Sequence, residues 1–130
     1  ILVADKTASS HMKPYVEKID QPVMFAEKSW GSFRIIDVEE GSLTIKVTLH
    51  AGHAMNYHSH ACRREIWNVV SGSGTVLLDG EVRVVAAGDV IDIPVGMQHK
   101  ISARERMVVI EVQIGADIVK EDKIKWSEEV

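Results

Sequence analysis

The chain has 130 residues, 45% of them hydrophobic and 26% charged, which is enough for one domain with a real core. Its net charge of -4 leaves no basic excess to draw nucleic acid or an anionic membrane surface. The longest apolar runs are strand-length, so none spans a bilayer, and the single cysteine, Cys62, excludes an internal disulfide and suits a reducing cytoplasm.

Residues 1–20 lack the turn-and-strand rhythm of the rest. Residues 1–6 have neither the basic head nor the long apolar body of a signal peptide. Ser9 or Ser10 can cap a short helix ending about Lys18, with Pro14 in its first turn. We expect this segment to be the trailing end of a preceding domain, with Asp20-Gln21-Pro22 as linker. The competing reading is a purification scar around Ser9-Ser10-His11-Met12 ahead of a start at Met12. Residues 21–130 are expected to form one all-β domain.

From residue 23 the pattern is strand, turn, strand. Strands are expected over 23–26, 33–38 and 43–49. In the last of these Leu43, Ile45, Val47 and Leu49 alternate with polar residues, the signature of a half-buried strand. Further strands are expected over 54–60, 66–71 and 74–78. Asp79-Gly80 is a two-residue hairpin turn into 81–85. Strands over 90–93, 99–103 and 107–114 complete about ten. Short strands at this spacing argue for a sandwich or a barrel, and a closed barrel removes exposed edges. Residues 116–130 form a charged, amphipathic tail that Trp126 can pin to the domain.

Two histidines stand two apart, at 58 and 60. Period two along a strand puts both on one face, about 6–7 Å apart, so both imidazoles can reach one ion at about 2.0–2.2 Å. Glu65 lies an odd step further on, so residues 61–64 must turn or bulge to bring its carboxylate back. Pro94 and Gly96 fit a tight turn that delivers His99 on the next strand. His58, His60, Glu65 and His99 are therefore the candidate metal ligands. Three imidazoles and a carboxylate suit zinc, manganese, iron, nickel or cobalt, and spacing does not separate them.

These residues carry a family resemblance. Gly52-x5-His58-x-His60-x4-Glu65-x6-Gly72 resembles the first cupin motif, and Gly88-x5-Pro94-x-Gly96-x2-His99 resembles the second, with Ala103 where that motif usually ends in asparagine. The resemblance implies an all-β fold: a single cupin barrel (double-stranded β-helix, or jelly roll) with the short N-terminal helical segment ahead of it. Three His and one Glu would surround one divalent metal, with zinc the leading candidate.

Over residues 28–125 the chain also resembles a subgroup, the phosphomannose isomerase domain of bifunctional mannose-1-phosphate guanylyltransferases. Ser29-Trp30-Gly31-Ser32-Phe33 resembles its opening and His58-x-His60-x2-Arg63-x-Glu65-x-Trp67 its core. Ile110-Glu111-Val112-Gln113-x-Gly115 and Glu121-Asp122-x-Ile124 resemble its close. Residues 1–6 resemble the end of that family's nucleotidyltransferase domain. His58 replaces the subgroup's usual glutamine, and Ile66 the histidine after its glutamate.

The resemblance implies a homodimeric enzyme interconverting mannose 6-phosphate and fructose 6-phosphate, and the lone Cys62 places it in the cytoplasm. Glu111, whose pKa burial would raise, and Lys46 are the candidate proton-transfer groups. Arg63 and Lys100 are candidates for the phosphate, since Arg donates two hydrogen bonds to an oxyanion at once. Asn56 and Gln113 are candidate cavity-facing substrate contacts. The departures at His58 and Ile66 favour a different class: a non-catalytic metal- and sugar-binding module that regulates or dimerises a nucleotidyltransferase. A third class is an iron-dependent cupin dioxygenase.

Overall fold

A computed structural model describes residues 24–116, 118 and 122–126. The expected N-terminal helical segment lies outside the described residues. Among the described residues every regular element is a strand: β1 (Phe25–Lys28), β2 (Gly31–Glu39), β3 (Ser42–Leu49), β4 (His58–Ser59), β5 (Arg64–Ser71), β6 (Ser73–Leu78), β7 (Glu81–Ala86), β8 (Val90–Ile93), β9 (His99–Ala103), β10 (Met107–Ile114) and β11 (Ile124–Lys125).

They form two antiparallel sheets, a six-stranded one in the order β1-β2-β3-β10-β5-β8 and a five-stranded one in the order β11-β4-β9-β6-β7. This corrects the expectation of a closed barrel. Neither sheet returns on itself: β1 and β8 remain edges of the larger, β11 and β7 of the smaller. Side-chain packing across a shared core joins the two layers instead, as in a sandwich. The edge strand β7 turns Val82 and Val84 to solvent.

The alternation in β3 is borne out. Leu43, Ile45, Val47 and Leu49 are buried and Lys46 is exposed. Val76, Val85, Ile91, Ile93, Ile101 and Met107 join them in one cluster, each fully buried aliphatic contributing about 1.5–3 kcal/mol. The Asp79-Gly80 turn has positive φ at both residues, 46° and 86°, the geometry that fits the right-handed twist of a hairpin.

The inner face of the β5–β10 pair changes character along its length. Val69 faces Val109, then Trp67 faces Glu111, then Glu65 faces Gln113, and all six are buried. One end of the same pleat is therefore oil and the other is chemistry.

Gly72 makes the sharp passage from β5 to β6. Its φ is +85°, and a Cβ there would stand 2.0 Å from the Arg106 carbonyl oxygen. Residues 54–60 are less regular than expected. Only His58–Ser59 is strand, and the rest is tied down by an Ala54–Ser102 bridge and by Met55 N–H donating to the Ile101 carbonyl at 3.1 Å.

Candidate metal centre

Local backbone structure explains why three histidines meet. β4 lies antiparallel to β9 with His58 opposite His99. The Pro94-Gly96 turn is fastened to the same place, with Gly96 N–H donating to the His60 carbonyl at 2.8 Å. Three ligand nitrogens, one from each of His58, His60 and His99, lie within 4.8 Å of one another. All three residues are buried.

Each ring has one nitrogen already committed to backbone. The Nδ1–H of His58 donates to the Asn56 carbonyl at 2.6 Å, that of His99 to the Met97 carbonyl at 2.8 Å, and that of His60 to the Asp122 carbonyl. A neutral imidazole that donates at Nδ1 presents a lone pair at Nε2, and such a second bond fixes both tautomer and orientation of a metal-binding histidine.

Electrostatics agree. His58 is lowered from 6.5 to about 3, first by burial and then by the neighbouring His99, against the opposing Asn56 bond. His99 is lowered as well, chiefly by burial. Both rings are then neutral at pH 7, the form a metal requires.

Glu65, 1% exposed, sits beside the cluster. Its oxygens are 3.0 Å from His60 Nε2 and 3.7 Å from His99 Nε2. Burial pushes its carboxyl up, but the bond and charge of His60 and the charge of Arg63 outweigh that and hold it below the usual range. Arg63 Nε donates to Glu65 Oε2 at 3.2 Å, and Trp67 Nε1 donates to Oε1 at 2.9 Å.

Among the described residues, His99 Nε2 is a buried nitrogen with no hydrogen-bond partner. An orphaned buried acceptor is costly unless something binds it. The donor set of three imidazoles with an adjacent carboxylate fits a divalent ion such as zinc.

A cavity of about 620 Å³ opens above His58, His60 and Glu65, and Arg63, Asn56, Glu111 and Gln113 also line it. Glu111 is held well above the ordinary carboxylate range, first by burial and then by the charge of Glu65. Gln113 donates to it at 2.7 Å.

Two candidates lie elsewhere. Lys46 is on the outer face of β3, opposite Arg34 and Ile110, because its apolar neighbours take the interior. Lys100 alternates with the inward-facing His99 and Ile101 and so points away from the cavity. Ile66 likewise faces outward between the buried Glu65 and Trp67, so that departure from the subgroup does not touch the site.

Sequence reasoning missed the tail's part. β11 pairs with β4, and the Asp122 carboxylate accepts the N–H groups of Ala61 and Cys62 at 2.7 and 2.9 Å. Trp126 pins the tail as expected, its Nε1 donating to Ser59 Oγ at 2.8 Å. Lys28, Lys123 and Lys125 reach the cavity wall, which no spacing in the sequence signals.

Comparison with known proteins agrees with this architecture. The chain is 28% identical to mannose-1-phosphate guanylyltransferase ManC of Salmonella typhimurium, over 98% of its own length and 28% of that protein. It is 25% identical to the Escherichia coli K12 mannose-1-phosphate guanylyltransferase, over 98% and 29%. The chain thus spans under a third of the length of the curated relatives it matches. An RmlC-like cupin from Shewanella frigidimarina superposes with a TM-score of 0.64 at 22% identity, covering 69% of this chain and 82% of that one, which shows a shared fold. The profile of the mannose-6-phosphate isomerase C-terminal family matches residues 18–129. This chain is therefore a cupin-fold domain belonging to the mannose-6-phosphate isomerase C-terminal family, homologous to that domain of the mannose-1-phosphate guanylyltransferases.

Proposed function

We propose that the domain is a metal-dependent sugar-phosphate isomerase interconverting mannose 6-phosphate and fructose 6-phosphate. The observation that carries this reading is a buried carboxyl, Glu111, on the wall of the same cavity that His58, His60 and Glu65 line. His58, His60, His99 and Glu65 would hold the ion, with zinc the best match to the donor set. When bound, a divalent ion supplies Lewis acidity and positive charge for developing oxyanions.

The chain's own residues do the rest. Isomerisation moves one proton from C2 to C1 and another from O2 to O1. Glu111 is the group to shuttle the carbon-bound proton, since a raised pKa makes its carboxylate a stronger base. Gln113 orients that carboxyl through its 2.7 Å bond. Arg63 is tied to Glu65 and lies 3.2 Å from His60 Nε2, so its role is to position ligands. Asn56 holds His58 and borders the substrate. Lys46 and Lys100, facing outward, take no part. We place the protein in the cytoplasm as a homodimer, in keeping with its lone thiol. Among the described residues no helix is long and apolar enough to cross a membrane.

One observation favours the second reading, a non-catalytic metal- and sugar-binding module. The Arg63 guanidinium lies beside His60 and Glu65, where its charge weakens cation binding. Elemental analysis followed by an isomerase assay before and after chelation decides. Turnover that needs the metal supports the enzyme. A folded, metal-loaded protein that binds mannose 6-phosphate without converting it rejects the enzyme and leaves the module. Bound iron with oxygen uptake on addition of substrate would point to a dioxygenase.

A further inference from the structure

We propose that Lys28, Lys123 and Lys125 form the seat for the phosphate monoester of a small sugar whose other end reaches His60 and Glu65. The inference rests on reading the cavity as a sugar-phosphate site, and assigns the half of the ligand that the metal centre does not explain.

The charge distribution carries it. The chain has a net charge of -4, yet Lys28, Arg63, Lys123 and Lys125 line one cavity against only Glu65 and Glu111 among the described residues. Glu65 is already paired with Arg63 at 3.2 Å. Among the described residues no carboxylate pairs with any of the three lysines.

The lysines arrive from opposite ends of the described chain. Lys28 ends β1, on one edge of the larger sheet, and the others flank or lie in β11, on an edge of the smaller sheet. They are nonetheless close enough to act on one another. Lys123 is held below the usual lysine value, first by partial enclosure of its ammonium and then by the charges of Lys125, Arg63 and Lys28.

Gathering like charges is unfavourable unless something relieves it, and a phosphate dianion does so best. Lysine binds phosphate as a compact point charge. Lys28 also lies 5.8 Å from the Phe33 ring centroid, beside Trp30 on the same wall. A cavity of about 620 Å³ falls in the usual range for small-molecule sites. The outward-facing Lys100 and the engaged Arg63 leave the phosphate to these three.

The test is isothermal titration of the full metal-loaded chain with three probes: mannose 6-phosphate, mannose and inorganic phosphate. The wild type should prefer mannose 6-phosphate to both others. The Lys123→Gln/Lys125→Gln double variant and Lys28→Gln should each lose at least about tenfold in affinity for mannose 6-phosphate, with metal content and mannose affinity unchanged. Lys123→Arg/Lys125→Arg should restore most of the loss. These side chains are on the surface, and thermal melts should match the wild type.

Variants that bind mannose 6-phosphate as the wild type does overturn the seat, as does a wild type that binds none of the probes. Inorganic phosphate bound as tightly as mannose 6-phosphate would make this a site for the free ion and overturn the ester. Lysine-dependent binding without turnover would keep the seat and reject the isomerase. Turnover with an unchanged KM in the lysine variants would keep the isomerase and reject the seat.

Discussion

Replacing Asp122 with alanine should cost metal affinity, although Asp122 is not expected to touch the metal. Its carboxylate accepts two backbone N–H groups, from Ala61 and Cys62, at 2.7 and 2.9 Å. Both bonds are exposed, so each contributes about 0.5–1.5 kcal/mol net. The folded state should therefore lose about 1–3 kcal/mol, read from urea unfolding. The larger effect should fall on the ion. Those two bonds hold the backbone whose carbonyl receives the His60 Nδ1–H. Losing such an outer partner typically weakens metal binding by about 10–100-fold. Titrating metal-free protein with zinc against a chromophoric chelator measures this directly. Asp122→Asn keeps one acceptor oxygen and should recover part of the loss. If Asp122→Ala loses the expected stability yet binds zinc within about twofold of wild type, the clasp holds the tail and does nothing for His60.

The metal-free protein should lose stability on acidification because His58 must take up a proton. Burial lowers its pKa from the ordinary 6.5 to about 3, so its contribution is complete above that upper value and is lost as pH falls towards the lower one. Between pH 7 and 5 the loss is about 2 kcal/mol. His58→Gln should flatten that slope in urea midpoints, leaving the part owed to His99 and Glu65, and an unchanged slope would show that the ring is already protonated or solvated. Glu111→Gln should lower isomerase kcat by about 10²–10⁴-fold while metal content holds. Because the raised Glu111 pKa stabilises the fold at low pH and loses that contribution as the carboxyl ionises, the variant should also be less sensitive to rising pH in thermal melts. Substituting Gly72 with alanine forces a side chain into a φ of +85° and against the Arg106 carbonyl. It should cost at least about 2 kcal/mol, and a melting temperature equal to wild type would refute the contact.

The parts of this fold that follow a period were legible. Alternation marked the inner face of β3 with Leu43, Ile45, Val47 and Leu49, and the two-residue step brought His58 and His60 together. Glycine and proline marked the turn that carries His99. What could not be read was set by pairings between distant segments. Lys46 alternates with apolar residues, which already places it on the outer face of β3, yet a lysine amid strand residues invites a cavity role. Glu111 and Gln113 share a face by period, but only pairing with Trp67 and Glu65 says that this face is buried. Lys28, Lys123 and Lys125 belong to short edge strands and the tail, where no repeat links them. Closure was also illegible, because the same strands can end in an open sandwich or a closed barrel.

The tail latch has a consequence for how the protein matures. Trp126 grips Ser59 and Tyr57, and the strap that precedes it completes both the His60 setting and one side of the cavity mouth. Residues 25–114 can assemble both main layers before that strap arrives. A nascent chain halted before residue 122 would carry the oily interior but an unfinished centre. Ion capture should therefore wait on the strap of residues 122–126, which completes the setting of His60.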